Sequence, residues 1–240
     1  NAFVAIEDQR FWTHNGIDVR GIFRAFAKGA ASGHFNEGAS TLTQQLIKNQ
    51  VFNVGLDETT FMDKLERKIQ EQYLAIELEK KYTKEEIVEY YLNTIYLGRG
   101  VSGVQAASEK YFGKDMTELT ISEIAVIAGI PQNPSRYDPV ANPDENKKRR
   151  AEVLKKMLDQ EYITQQQYDE AVADDVYARI DAEHEVQLAE SDINTFYQDA
   201  IIEELILQFM DMFNCTKEEA ENKLYTGGYD IYSAQDKAIQ

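Results

Sequence analysis

The sequence predicts a mainly α protein, and three observations carry that reading. Capping-box spacings recur, with Thr41 three residues before Gln44, Thr83 before Glu86 and Thr120 before Glu123; each pairs a hydroxyl with a backbone N–H left free at a helix start. Apolar residues follow the caps at helical spacing, as in Ile87, Val88, Tyr91, Leu92 and Ile95. Only residues 228–233, GYDIYS, alternate as a strand does.

Taken in order, residues 2–6 form an apolar run that ends abruptly at Glu7-Asp8. Asp18 caps a stretch with Val19, Ile22, Phe23, Phe26, Ala27 and Ala30 on one face, closed by Gly33. A small-residue loop at 37–40 leads to the helix opened by Thr41, and residues 53–60 are polar and irregular. Residues 61–81 form a long helix. The Thr83 helix stops at Gly98, and Ser102 precedes a short helix that ends at Phe112-Gly113. Gly129 and Pro131 end the Thr120 helix. Residues 131–143 hold all four prolines and form a loop. Asn142 and Pro143 start the next helix as N-cap and first residue. Thr164, Asp192 and Thr216 open three more.

The 240 residues are 43% hydrophobic and 11% aromatic, enough for a sizeable core. One cysteine, Cys215, excludes an internal disulfide and a Cys-based zinc cluster. His14, His34 and His184 lack ligand spacing. The net charge of −17 argues against a nucleic-acid partner. Residues 169–204, with twelve Asp/Glu against one Arg, are a solvated acidic stretch. Residues 64–84, with six Lys/Arg against four Glu, are locally basic and suited to an anion. No run approaches the ~20 apolar residues of a membrane span. The chain begins inside an apolar run and ends inside a pattern, so it reads as a piece of a longer protein. We expect one domain over 1–180 and, over 181–240, a helical extension whose terminal strand leads toward a further domain.

Three stretches hold candidate chemistry. In residues 2–16, AFVAIEDQRFWTHNG, Glu7 closes an apolar run beside aromatics and His14. Apolar surroundings are how a protein raises a carboxyl pKa toward working pH. Glu7 is therefore a candidate general base, the ordinary alternative being a solvated helix-end carboxylate. In the 61–81 helix, Met62, Leu65, Ile69, Tyr73 and Ile76 form an apolar stripe, expected to face the core. Lys64, Arg67, Lys68, Glu71 and Ala75 lie opposite; they form either surface ion pairs or one wall of a cleft facing Glu7. In residues 38–49, GASTLTQQLIKN, small residues and hydroxyl caps expose backbone N–H groups that can hold an anion, with Gln45 and Lys48 on one face. The patterns GxxxxGK[ST], GxSxG and HExxH are absent.

These residues resemble the glycosyltransferase domain of class A bifunctional penicillin-binding proteins, glycosyltransferase family 51. Five motifs run in the family's order: EDQRFWTHNGID at 7–18, GASTLTQQLIKN at 38–49, RKIQEQYLAIELEKKYTKEEI at 67–87, IVEYYLNTIYLG at 87–98 and AGIPQNPSRYDP at 128–139. The resemblance implies a lysozyme-like helical fold with a membrane-facing jaw at about 17–36, and Phe23, Phe26 and Phe35 as membrane contacts or ordinary core. It implies lipid II and the growing glycan chain as substrates and no nucleotide or organic cofactor, and it leaves room for a divalent cation, Mg or Mn, at Glu71. It places the work at the outer face of the bacterial membrane, with an N-terminal anchor and a C-terminal transpeptidase domain as covalent partners. Glu7 then resembles the catalytic base and Glu71 the second essential carboxylate. Lys48, Lys68 and Arg67 resemble cations near the substrate phosphates. Ser40, Thr41, Gln44 and Gln45 line the site, and Asp8, Phe11 and His14 support the first motif within the same binding set. One departure stands out: where the family has an Arg after the second motif, this chain has Leu56. Lys64 or Arg67 supplies that charge.

The implied reaction joins an α-linked donor to make a β linkage, so it inverts at C1 in one displacement. Glu7 takes the acceptor proton while cations meet the leaving pyrophosphate. Two rivals remain on sequence grounds. A lysozyme-like hydrolase or lytic enzyme also needs a Glu in a cleft but has no use for Lys48 and Lys68. A non-catalytic scaffold that binds lipid II needs neither carboxylate.

Overall fold

In the computed structural model, residues 1–32, 38, 40–52, 60–180, 196–213 and 215–226 are described. They form eleven α-helices: α1 (Ala2–Glu7), α2 (Val19–Ser32), α3 (Leu42–Val51), α4 (Phe61–Glu79), α5 (Lys84–Thr94), α6 (Val104–Phe112), α7 (Ile121–Ala128), α8 (Pro143–Asp159), α9 (Gln165–Ala173), α10 (Phe196–Phe213) and α11 (Lys217–Thr226). Two 3₁₀ turns, Met116–Glu118 and Val176–Arg179, carry no sequence signal strong enough to announce them. The only β pairing among the described residues is one antiparallel bridge, Tyr96 to Ser102. The mainly α class is as predicted. The expected strand at 228–233 lies outside the described residues.

The caps explain most helix starts. Thr41, Thr83, Thr120 and Thr164 each complete a reciprocal capping box. Thr216 does the same with Glu219. Thr60, read as part of an irregular stretch, caps α4 through Asp63. Helix α5 ends at Thr94, earlier than Gly98, because Ile95 is already extended and leads into the bridge.

The chain divides into two compact units, Asn1–Gln187 and Leu188–Gln240. In the first, α1 packs on α8 and α7, and α3 packs on α4 and α5. Phe3, Val4, Leu42, Ile87, Leu97, Ile127, Ile130 and Leu154 share one buried core; full burial of such side chains contributes roughly 1.5–3 kcal/mol each. In the second, α10 and α11 pack through Ile206, Phe209, Ala220 and Leu224.

The apolar stripe of α4 does not face the core as expected. Met62, Leu65, Ile69 and Tyr73, expected in the core, are 66%, 43%, 60% and 63% exposed, whereas Glu71 and Ala75 are fully buried. Periodicity finds two faces; it does not say which one meets the protein. Close approach decides it here. Gly16, at φ +83°, sits so near α4 that an added Cβ would lie 2.6 Å from the Ala75 backbone. Only small residues on both sides allow that contact.

Candidate active site

The site is built where α1, α3, α4 and α8 converge. Helix α1 delivers Glu7 as its last residue, with Ala2, Phe3, Val4 and Ala5 buried behind it. A cavity of about 460 Å³ is bordered by Glu7, Ser40, Gln45, Lys48, Lys68 and Glu71, with Arg67 also in its wall. A second, of about 440 Å³, is bordered by Glu7, Asp18, Arg149, Lys155 and Lys156. Glu7, Ser40 and Gln132 border both, so the carboxylate stands where the two meet.

The surroundings of Glu7 differ from the apolar sheath expected from its neighbours in sequence. Gln45 donates from Nε2 to Oε2 at 3.0 Å. Arg149 donates from Nη2 to Oε1 at 3.2 Å and from Nη1 to Glu152 at 2.8 Å. Sequence reasoning missed Arg149. Its one signal is its place on the buried face of α8 with Val153 and Met157, where a cation is not expected without a partner.

Glu71 lies across the first cavity with no exposure. Arg67 donates to its Oε1 and Lys68 to its Oε2, the latter at 2.7 Å. Lys68 donates at the same distance to Ser40 Oγ. Two cations offset the several kcal/mol that burying a lone carboxylate costs. They also occupy both oxygens, and among the described residues no group of three His, Cys, Asp or Glu is arranged to hold a metal. The donors at Glu71 therefore do not suit a resident divalent cation. Of the two candidates for the cation missing at Leu56, Arg67 borders the cavity, while Lys64 is exposed and does not; Leu56 lies outside the described residues. Lys48 borders the cavity without a hydrogen-bond or ion-pair partner among the described residues.

The remaining expected residues hold this frame together. Thr41, 1% exposed, donates to the Gly16 carbonyl at 2.7 Å, and Gln44 completes its capping box. Asp8 accepts from the Leu42 backbone N–H at 3.0 Å, at the start of α3, and from His14 Nε2 at 2.9 Å. A carboxylate only accepts, so Nε2 carries the hydrogen and Nδ1 faces Lys84 Nζ at 3.4 Å. Lys84 also pairs with Glu79 and lies 4.3 Å from the Phe11 ring centroid. Phe11 and His14 thus stand behind the cleft. They border neither cavity.

A family model described as Transglycosylase matches residues 1–158. Penicillin-binding protein 1A of Escherichia coli is 42% identical over all of this chain and 25% of its own length. The protein of the same name from Streptococcus oralis is 38% identical over all of this chain and 35% of its own. That from Aquifex aeolicus is 48% identical over 72% of this chain and 23% of its own. The chain thus spans about a quarter to a third of the length of these relatives.

Proposed function

Because the chain belongs to the transglycosylase family, we propose that it polymerises lipid II into β-1,4-linked glycan strands, inverting the donor C1 and releasing undecaprenyl pyrophosphate. The observation that carries this reading is the pairing of Glu7 with a cationic wall of Lys48, Arg67 and Lys68 around one cavity. A hydrolase whose leaving group is a sugar hydroxyl has no use for that wall, and a pyrophosphate leaving group does. Glu7 takes the acceptor 4-OH proton as the oxygen attacks C1. Lys68, Lys48 and Arg67 meet the charge that grows on the departing pyrophosphate, and Glu71 holds two of them in place. Incubating the chain with lipid II and, separately, with finished peptidoglycan tests the reading. Growing glycan from the first and no release of fragments from the second is expected; fragment release without polymerisation would make it a lytic enzyme.

The partners proposed with this reaction are the membrane, a membrane anchor and a transpeptidase domain, with work at the outer face. Among the described residues no helix is long and apolar enough to cross a bilayer. Within this chain, the contact is proposed for exposed apolar side chains. Phe23 on α2 is 70% exposed; the side chains of Phe26 and Phe35 lie outside what is described. The α4 stripe adds Ile69 and Tyr73, beside an apolar hollow shared with Val51 and Phe52. A chain of net charge −17 gains no general attraction to anionic lipid, so apolar contact must carry the binding. Replacing Ile69 and Tyr73 together by Ser should weaken co-sedimentation with phosphatidylglycerol vesicles about tenfold or more. Because both side chains are exposed, the midpoint of thermal unfolding should hardly move. Unchanged vesicle binding would clear α4 of that role.

A further inference from the structure

Three helices meet at Glu7 through a chain of two hydrogen bonds. Tyr91 on α5 lies 3.2 Å from Gln45 Oε1 through its hydroxyl, and Gln45 on α3 donates from Nε2 to Glu7 Oε2 at 3.0 Å. An amide side chain has two ends of nearly equal shape, and half a turn of the last torsion exchanges donor for acceptor. With its oxygen toward Glu7, Gln45 would oppose two acceptors with no hydrogen between them. The pairing with Glu7 survives only while something holds the amide the right way round.

Glu7, an acceptor only, selects the Nε2 end, and the Tyr91 hydroxyl anchors the other end. Tyr91 is 1% exposed, and the Phe3 ring packs edge-on against it at 6.2 Å. A phenol can donate or accept, but Nε2 is committed to the carboxylate, so Tyr91 donates to Oε1. Burial first, and the negative charge of Glu7 second, push the phenol well above its usual value, so the proton it donates stays in place. Arg149 from α8 is the other charged group on Glu7, with Glu152 on its far side. Lys48, Arg67, Lys68 and Glu71 face it across the cavity. None of these touches the outward end of the Gln45 amide in any described hydrogen bond.

We propose that Tyr91 is a positioning residue for the reaction: its hydroxyl anchors the far end of the Gln45 amide, and so steadies the Nε2–Glu7 hydrogen bond and the placement of the Glu7 carboxylate that receives the acceptor proton. The proposal rests on Glu7 as the base of the reaction proposed above. It predicts dependence of one residue on the other. Tyr91→Phe should lower kcat on lipid II about tenfold with little change in KM, because Tyr91 is buried and borders neither cavity. In a Gln45→Met background, where no amide is left to anchor, Tyr91→Phe should cost no further kcat. A purely structural loss would take the same fraction from both backgrounds, and that result, or a wild-type kcat in Tyr91→Phe, would overturn the proposal.

A second measurement does not need turnover. In the ¹⁵N-labelled chain, the Gln45 side-chain amide, identified by its loss in Gln45→Met, should exchange slowly with solvent and become fast in Tyr91→Phe. Equal exchange in the two proteins would overturn the proposal whether or not the chain polymerises lipid II. Absence of polymerisation by the unaltered chain, with the exchange difference intact, would strike the proposed reaction and leave the anchoring role standing.

Discussion

Glu7→Gln should abolish polymerisation of lipid II while leaving the chain folded. General-base catalysis contributes about 10²- to 10⁴-fold, so a loss of at least ~10²-fold in kcat is expected. The substitution keeps the shape of the side chain and one of its two interactions. A glutamine at this position can still accept from Gln45, but its amide hydrogens would then oppose Arg149, which donates to Glu7 Oε1 in the native site. Arg149 keeps Glu152 as a partner, so no buried cation is left alone. The stability cost should therefore stay near the 1–3 kcal/mol of one buried donor losing its acceptor. Residual polymerisation close to the native rate would remove Glu7 from the chemistry. A variant that failed to fold would show instead that the Arg149 contact is structurally critical, a result that chemical denaturation distinguishes from loss of the base.

The contrast between Glu7 and Arg149 shows what was legible in the sequence and what was not. Helix starts were readable because a capping box is local: Thr41, Thr83, Thr120 and Thr164 meet partners three residues away. Glu7 was readable because the apolar run before it and the motif around it lie within a few residues. Arg149 reaches Glu7 across 142 positions, and no local pattern encodes that contact. Tyr91 looked like a core aromatic, and by burial it is one. Its hydroxyl gains meaning only from Gln45, on another helix.

Helix α4 failed for a different reason. Its apolar stripe was sent to the wrong side, whereas the polar face takes the second of the two readings left open for it, the wall of a cleft shared with Glu7. The usual rule places the apolar face inward because most helices bury it against a core. Here the inward side borders a cleft, where Glu71 can be buried because Arg67 and Lys68 come with it. The same inversion leaves Ile69 and Tyr73 outward, so one local pattern supplies both the cationic wall and an apolar outer surface.

That coupling sets the terms for Lys68→Ala, which should lower kcat about 10²- to 10³-fold, the scale of losing one preorganised group at a developing charge. Lys68 Nζ is held at 2.7 Å by both Glu71 Oε2 and Ser40 Oγ, so its position does not have to be found anew as the pyrophosphate leaves. Its removal does not orphan Glu71, which keeps Arg67, and the fold should survive. Lys48 cannot compensate, because it comes from another helix and has no described group fixing it against the cavity. Lys68→Arg sharpens the case. It keeps the charge but replaces a compact ammonium with a planar fork too large to reach both Glu71 and Ser40 in the same way. If charge alone mattered, Lys68→Arg would restore the native rate. If placement matters, it should recover only part of it, measured as lipid II consumed per unit time at saturating substrate. A Lys68→Ala rate within about threefold of native, a change worth less than 1 kcal/mol, would take Lys68 out of the site.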